Sequence, residues 1–136
     1  MTLVLTFVAA LASGFALSAP PTESVVLKPF HGSQVSGRVS YKSAGPGTAV
    51  WISLRGVRPS STIAVLFHAG TCARHGASFA LAGSGKAGKD GRFSSHGRVL
   101  FHGEPVGIGT VADGAHVFVA VADGREVACA AVPGMS

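Results

Sequence analysis

The eight residues Val65-Leu66-Phe67-His68-Ala69-Gly70-Thr71-Cys72 join a strand-like apolar run to a glycine turn and then to a cysteine. The only other cysteine, Cys129, lies in the apolar run Val127–Val132 near the C-terminal end. We interpret Cys72 and Cys129 as one disulfide that ties a mid-chain loop to the last strand of a β-sandwich. The alternative, two thiols that bind metal or act in redox chemistry, lacks the support of a C-x-x-C spacing.

Apolar and polar residues alternate on both sides of this stretch, which indicates half-buried strands. Residues 34–41 place Val35, Val39 and Tyr41 on one face, and residues 115–132 carry the strongest hairpin pattern in the chain. Abundant Gly, Val and Thr disfavour helices. We therefore predict an all-β fold, a Greek-key β-sandwich of the immunoglobulin-like type with about seven or eight strands. We expect a loop over residues 73–78, a short strand over 79–81, a flexible tip over 83–91, one strand over 92–101 and mostly connection over 103–112.

Composition limits the chain to one ordered domain. It has 136 residues, of which 47% are hydrophobic and only 12% are charged, so the chain is too apolar to be disordered. The net charge is +5, but the basic residues are scattered along the sequence and form no run. A nucleic-acid partner is therefore not expected, whereas an anionic component of the cell envelope remains a candidate partner.

The N-terminal segment is typical of an export signal. The apolar run Leu3–Ala12 is followed by small residues up to Ser18, and it is shorter than the ~20 residues that a transmembrane helix needs. The alternative is a first buried strand. Export agrees with two paired cysteines and places the protein outside the cell, in the periplasm or at the cell envelope. We predict a signal peptide (1–18), a flexible leader (19–23) and a single β-sandwich domain (24–133), with no transmembrane segment in the mature chain.

The order of strands and cysteines resembles the copper,zinc superoxide dismutase family over about residues 34–132. The resemblance rests on the strand Val50–Val57, on the next strand Ile63–His68, and on Cys72 with the segment Glu126–Cys129. The chain also resembles small exported sandwich domains of the CHRD type, which share a His-Ala-Gly-Thr-Cys segment. The resemblance implies a superoxide dismutase-like sandwich in which the loop cysteine pairs with the C-terminal one.

Most metal ligands of that family are missing from this chain. Where the family has a His-x-His pair, the chain reads Leu66-Phe67-His68, so only His68 matches. Ser78 stands in the place of the metal-bridging histidine, and Ala120 stands in the place of the last copper ligand. Residues 81–91 contain no counterpart of the zinc loop. A redox copper centre needs several converging imidazoles, so the resemblance does not extend to dismutase activity.

The chain nevertheless has six histidines, and imidazole is the commonest transition-metal ligand. His68 and His75 flank Cys72, and the disulfide would draw the last hairpin, with His116, toward their loop. These three side chains are candidate ligands for copper or zinc at one end of the sandwich. The alternative is that His68 caps a strand end through a hydrogen bond to a loop carbonyl, that the other histidines are solvated, and that the protein has no cofactor.

Two functions follow from these patterns. The first is a non-enzymatic exported module with a binding or structural role at the cell envelope or outside the cell. It is favoured because no paired acids and no Ser-His-Asp spacing are readable in the sequence, so we assign no catalytic residue, although an enzyme is not excluded. The second is a copper- or zinc-binding, superoxide dismutase-like protein that uses His68, His75 and His116.

Overall fold

Ten strands and one helical turn make up residues 22–135, the part of the chain that the computed structural model describes. The predicted signal peptide (1–18) and most of the predicted leader (19–23) lie outside these residues. Within them, no helix is long and apolar enough to cross a membrane. The elements are β1 (Glu23–Pro29), β2 (Ser36–Ala44), β3 (Gly47–Arg55), β4 (Thr62–Gly70), β5 (His75–Lys86), β6 (Phe93–Arg98), β7 (Leu100–Phe101), β8 (Glu104–Pro105), α1 (Ile108–Val111), β9 (His116–Ala122) and β10 (Arg125–Val132).

All neighbouring strands are antiparallel, and their order is β6-β3-β2-β1-β10-β9-β4-β5-β7-β8. Strand β1 links the two halves of this sheet, because residues 23–27 pair with β2 while Lys28 and Pro29 pair with β10. The sheet is nearly closed into a barrel. The predicted all-β class is confirmed, whereas the described residues contain ten strands rather than the seven or eight that we expected.

The additional strands arise where the chain changes partner. The strand predicted over residues 92–101 is divided at Val99, because β6 pairs with β3 whereas β7 pairs with β5. Val99 itself is fully buried, and its N–H donates to the carbonyl of Thr48 at 3.1 Å. The predicted connection over residues 103–112 contains the two-residue strand β8 and the turn α1.

Strand β5 is longer than the sequence indicated. We expected a loop over residues 73–78, but β5 begins at His75. The reason is a tight turn in which Thr71 N–H donates to the Arg74 carbonyl at 2.9 Å and Arg74 N–H donates back to the Thr71 carbonyl at 3.2 Å. Pairing with β4 therefore resumes at once, and it continues into the first residues of the predicted flexible tip, 83–91.

The inward side of the sheet forms the main core. Ile63, Val65 and Phe67 have no exposed surface, which confirms the alternation predicted along β4. Phe67 lies opposite Phe118 on β9, and their ring centroids are 5.2 Å apart. Each side chain of this size stabilises the fold by about 1.5–3 kcal/mol when it is fully buried. The inward residues of these strands therefore position the outward ones.

The C-terminal hairpin is also confirmed. Asp123 and Gly124 connect β9 to β10 with φ values of 49° and 80°, as a two-residue hairpin turn requires. The Asp123 carboxylate accepts hydrogen bonds from the Arg58 side chain at 2.8 Å and from the Thr62 N–H at 2.9 Å. The bond from Arg58 is the main cause that lowers the pKa of Asp123.

A second, smaller apolar cluster lies on the outward side of β4, β9 and β10. Its position follows from the register, because His68 lies opposite Val117 and paired residues of an antiparallel sheet share a face. We call it the outer cluster, and the predicted disulfide is part of it. Its buried members are Val117, Val119 and Cys129, with Phe30, Cys72 and Val121 packed against them.

Candidate metal centre

His68 lies near the end of β4 with its ring on the outward side of the sheet, and the residue is only 5% exposed. Its Nδ1 donates a hydrogen bond to the Gly76 carbonyl oxygen at 2.7 Å. Because that oxygen only accepts, the ring proton is on Nδ1 and Nε2 of the neutral ring keeps its lone pair. Nε2 is buried and has no hydrogen-bond partner among residues 22–135. An unsatisfied buried polar atom costs about 1–3 kcal/mol, so this nitrogen requires an explanation.

His75 is brought to the same place by the tight turn that precedes β5. It lies opposite Gly70, two residues after His68 on β4, and the two imidazole centroids are 4.8 Å apart. Its Nδ1 donates to the Thr71 carbonyl at 3.1 Å and its Nε2 donates to Glu126 Oε2 at 3.0 Å. Both partners are acceptors, so they favour the doubly protonated ring, and the hydrogen bond to Glu126 is the main cause that raises the pKa of His75 against the effect of burial.

Glu126 enters the site from β10. It lies opposite Val121, a member of the outer cluster, so its carboxylate is on the outward side of the sheet. The hydrogen bond from His75 is the main cause that lowers the pKa of this carboxylate. Its other oxygen, Oε1, lies 3.6 Å from Nε2 of His31.

His31 is held in an unusual backbone conformation. Its φ is +53° and that of Gly32 is +77°, in a turn that is closed by a hydrogen bond from Ser33 N–H to the Phe30 carbonyl at 3.1 Å. A left-handed φ is uncommon for a residue with a side chain, although histidine adopts it more readily than most. The ring lies over Phe30, with centroids 4.0 Å apart, and reaches the rim of the site.

Three side chains therefore offer ligand atoms that all lie within 4.8 Å of one another: one nitrogen of His68, one nitrogen of His75 and one carboxylate oxygen of Glu126. Two imidazoles and one carboxylate are a ligand set that binds zinc in proteins, and imidazole also suits copper. The Nδ1–H bonds of both histidines to carbonyl oxygens fix the orientation of the rings, as outer hydrogen bonds do around metal ligands.

The structure brings together His68 and His75 but places His116, the third predicted ligand, on the opposite face of the sheet. His116 lies opposite Ala69 rather than His68, and a shift of one residue turns a side chain to the other face. Its ring stacks on Phe67 with centroids 4.6 Å apart, and its Nδ1 bonds Asp113 Oδ1 at 2.8 Å.

The disulfide between Cys72 and Cys129 is confirmed, with Cα atoms 5.9 Å apart. Cys72 lies in the turn that carries His75, and Cys129 lies three residues after Glu126 on β10. The bond therefore fixes the distance between two of the candidate ligands. Glu126 was missed in the sequence, because a spacing of three residues from Cys129 predicts opposite faces, and only the register shift between Glu126 and Ala128 brings both side chains to the outward side. His31 gave no signal either.

Comparison of the chain with protein-family models, with curated proteins and with solved structures found no match.

Proposed function

We propose that this protein binds one divalent transition-metal ion, of the zinc or copper(II) class, through His68, His75 and Glu126. The observation that carries the proposal is the buried Nε2 of His68, which lacks a hydrogen-bond partner among the described residues and lies beside two other ligand groups. A metal–nitrogen bond supplies the missing partner. No hydrogen-bond donor or acceptor among residues 22–135 does so.

The metal replaces one proton. In the metal-free protein the Nε2–H of His75 donates to Glu126 Oε2 at 3.0 Å. A divalent cation bound to both groups takes the place of that proton, which is released to solvent, and the site gains one net positive charge. The hydrogen bond from Nδ1 of His68 to the Gly76 carbonyl leaves Nε2 of that ring as the nitrogen that faces the metal.

His31 is the fourth ligand in this proposal. Zinc and copper prefer four or more donors, and His31 Nε2 is already 3.6 Å from Glu126 Oε1. With His31 bound, the metal is enclosed by protein ligands. This arrangement suits a protein that holds a metal more than one that activates water at an open position. We therefore propose a non-enzymatic role, with no residue assigned to catalysis.

Export is the second part of the proposal. A disulfide that joins the ligand-bearing turn to β10 is typical of an oxidising compartment, and this supports the signal peptide predicted at residues 1–18. The position of His68 beside the paired cysteines supports the resemblance to the superoxide dismutase-like Greek-key sandwich. In this proposal the chain keeps a metal on that framework with a different ligand set.

The test is isothermal titration of the oxidised, mature protein with Zn(II) and Cu(II). We expect one site per chain with a Kd below about 10 μM for at least one of the two metals, and loss of that site in His68→Gln. His116→Gln is the matched control, since it removes a similarly shielded histidine from the other face. The proposal fails if neither metal saturates a site, or if His116→Gln weakens binding as much as His68→Gln.

A further inference from the structure

The outward side of strands β1, β2, β3 and β6 carries cations that are far apart in the sequence. Arg38 on β2 and Arg55 on β3 both point outward, and the exposed Arg92 immediately precedes β6. Between them, Ser53 of β3 lies opposite both Arg38 and Ser94. The fold thus gathers basic residues that are scattered in the sequence.

These three arginines surround a cleft of about 280 Å³ whose polar lining includes the side chains of Ser53 and Ser94. We call it the arginine cleft. It is smaller than the ~300–1,000 Å³ of typical small-molecule pockets, so it suits one acidic group rather than a whole drug-sized ligand. Guanidinium groups and hydroxyls are the donors that bind sulfate, phosphate and carboxylate oxygens.

The charge of the cleft is poorly compensated within residues 22–135. Arg55 makes no ion pair there, and Arg38 donates only to the Ser24 hydroxyl at 2.9 Å. Arg92 approaches Asp90 at 3.8 Å, with both side chains largely exposed. No carboxylate lines the cleft. Its positive charge is therefore available to a partner.

The positive charge continues along the same face beyond the cleft. Lys42 lies over the ring of Trp51 at 5.7 Å, and Arg98 extends from the end of β6 opposite Ala49. From Arg55 to Ala49 the face runs for about 20 Å, at a rise of 3.3 Å per residue. One small anion contacts only part of this length, whereas a polymer with repeated acidic groups can contact all of it.

We propose that this face binds an anionic polysaccharide. One sulfate or carboxylate group lies in the arginine cleft, and others lie along the same face beyond it, near Trp51, Lys42 and Arg98. A single-stranded nucleic acid is a poorer fit, since such ligands stack bases on open aromatic rings. The ring of Trp51 is stacked by His96 at 4.7 Å on one side and approached by Lys42. An anionic membrane is also a poorer fit, because the face offers few apolar side chains for insertion, chiefly Val26 and Trp51.

The experiment measures binding of the metal-free protein to heparin and to alginate, which carry sulfate and carboxylate groups respectively. Duplex DNA and phosphatidylglycerol vesicles are the comparison ligands. The test variant is Arg38→Gln/Arg55→Gln/Arg92→Gln. The matched control, Arg74→Gln/Lys86→Gln/Arg125→Gln, removes the same charge from other surfaces. All six side chains are exposed, so both variants should fold, and melting curves check this.

We expect at least one polysaccharide to bind, and binding to weaken as salt rises. The test variant should bind about tenfold more weakly or worse, and the control less than about threefold more weakly. His68→Gln should bind like the wild type, so this result is independent of the proposed metal site. Equal losses in the two triple variants, or the absence of binding to both polysaccharides at low salt, would overturn the proposal. So would binding of DNA or vesicles as tight as that of the polysaccharides.

Discussion

His68 and His116 lie on opposite faces of the same paired strands, and both are largely shielded from solvent. On the inward side, His116 stacks on Phe67, its Nδ1 bonds Asp113, and neither of its nitrogens is buried without a partner in the described part of the chain. On the outward side, His68 has one satisfied nitrogen and one buried nitrogen without a partner among the described residues. The difference shows that burial alone does not mark a binding residue. An unsatisfied atom alone does not mark one either, since Ser95 Oγ is also buried without a partner among residues 22–135. What distinguishes His68 is an unsatisfied nitrogen that lies beside two further ligand groups.

The disulfide ties the turn that carries His75 to β10 on the outward side of the sheet. Its removal should therefore have the largest effect on stability. It closes a loop of 57 residues, which corresponds to about 4 kcal/mol in the chain-entropy model. We expect Cys72→Ser/Cys129→Ser to lower the melting temperature by at least about 10 °C, as measured by circular dichroism. Metal affinity should fall as well, because the turn that carries His75 is no longer tied to β10. An unchanged melting temperature would show that the strands alone hold this region.

Metal bound on the outward side should stabilise the whole domain, because it binds the folded chain in preference to the unfolded one. At a free zinc or copper(II) concentration of 100 times Kd, mass action adds about 2.7 kcal/mol to the free energy of unfolding. Thermal melts with metal and with EDTA measure this difference. We expect it to vanish in His68→Gln and to persist in His116→Gln. The same stabilisation in both variants would place the metal elsewhere.

His31 should contribute less to metal affinity than His68, His75 and Glu126 do. We expect His31→Asn to weaken metal binding about tenfold, equivalent to 1.4 kcal/mol, without abolishing it. Asparagine tolerates the left-handed φ of 53°, so the turn is retained. Co(II) serves as a spectroscopic probe, and its visible bands should weaken in the variant as one protein ligand is replaced by water. Identical spectra and affinities would remove His31 from the site.

In the absence of metal, replacing each histidine by phenylalanine should change the stability of the protein differently on the two faces of the sheet. His116→Phe loses the bond to the partly exposed Asp113, at a cost of about 1 kcal/mol after allowance for solvent screening. His68→Phe removes the unsatisfied nitrogen together with the bond to Gly76, whose carbonyl is in an exposed residue that water can solvate. We expect its stability in urea to be unchanged or slightly raised. A larger loss in His68→Phe than in His116→Phe would contradict this comparison.

The smallest effect concerns pH and the pair of His75 and Glu126. The pKa of His75 is raised above 6.5, so its contribution to stability is complete below that pH and is lost as pH rises through the folded-state pKa. The pKa of Glu126 is lowered below 4.5, so its contribution is present above that pH and is lost as pH falls through its folded-state pKa. The pair therefore stabilises the metal-free protein most between pH 4.5 and 6.5.

Melting curves of the wild type and of His75→Gln across this range test the prediction. The stability advantage of the wild type should shrink as pH rises above 6.5 and as it falls below 4.5. A constant difference at every pH would show that the two side chains do not form an ion pair in solution.

Alternation and composition were enough to predict the all-β class, the inward residues of β4 and the C-terminal hairpin. The pairing of Cys72 with Cys129 followed from their places in the chain. The candidate site was harder to predict, because the side of the sheet on which a side chain lies depends on the register of strand pairing. His116 lies one position away from the partner of His68, and that single step puts it on the inward side.

The remaining features depend on contacts between distant parts of the chain. The barrel-like closure and the change of partner at Val99 follow from pairings that no local pattern encodes. Arg38, Arg55 and Arg92 line one cleft only because β2, β3 and β6 are neighbours in the sheet. Composition gives the total charge, and topology decides where it gathers.

The most direct test of the metal site is nitrogen-15 NMR of the imidazole rings during titration with Zn(II). The account predicts that Nε2 of His68 and Nε2 of His75 shift to metal-bound positions at one equivalent, while both nitrogens of His116 stay unchanged. A shift of His116, or a His68 Nε2 signal that does not respond to the metal, would contradict it.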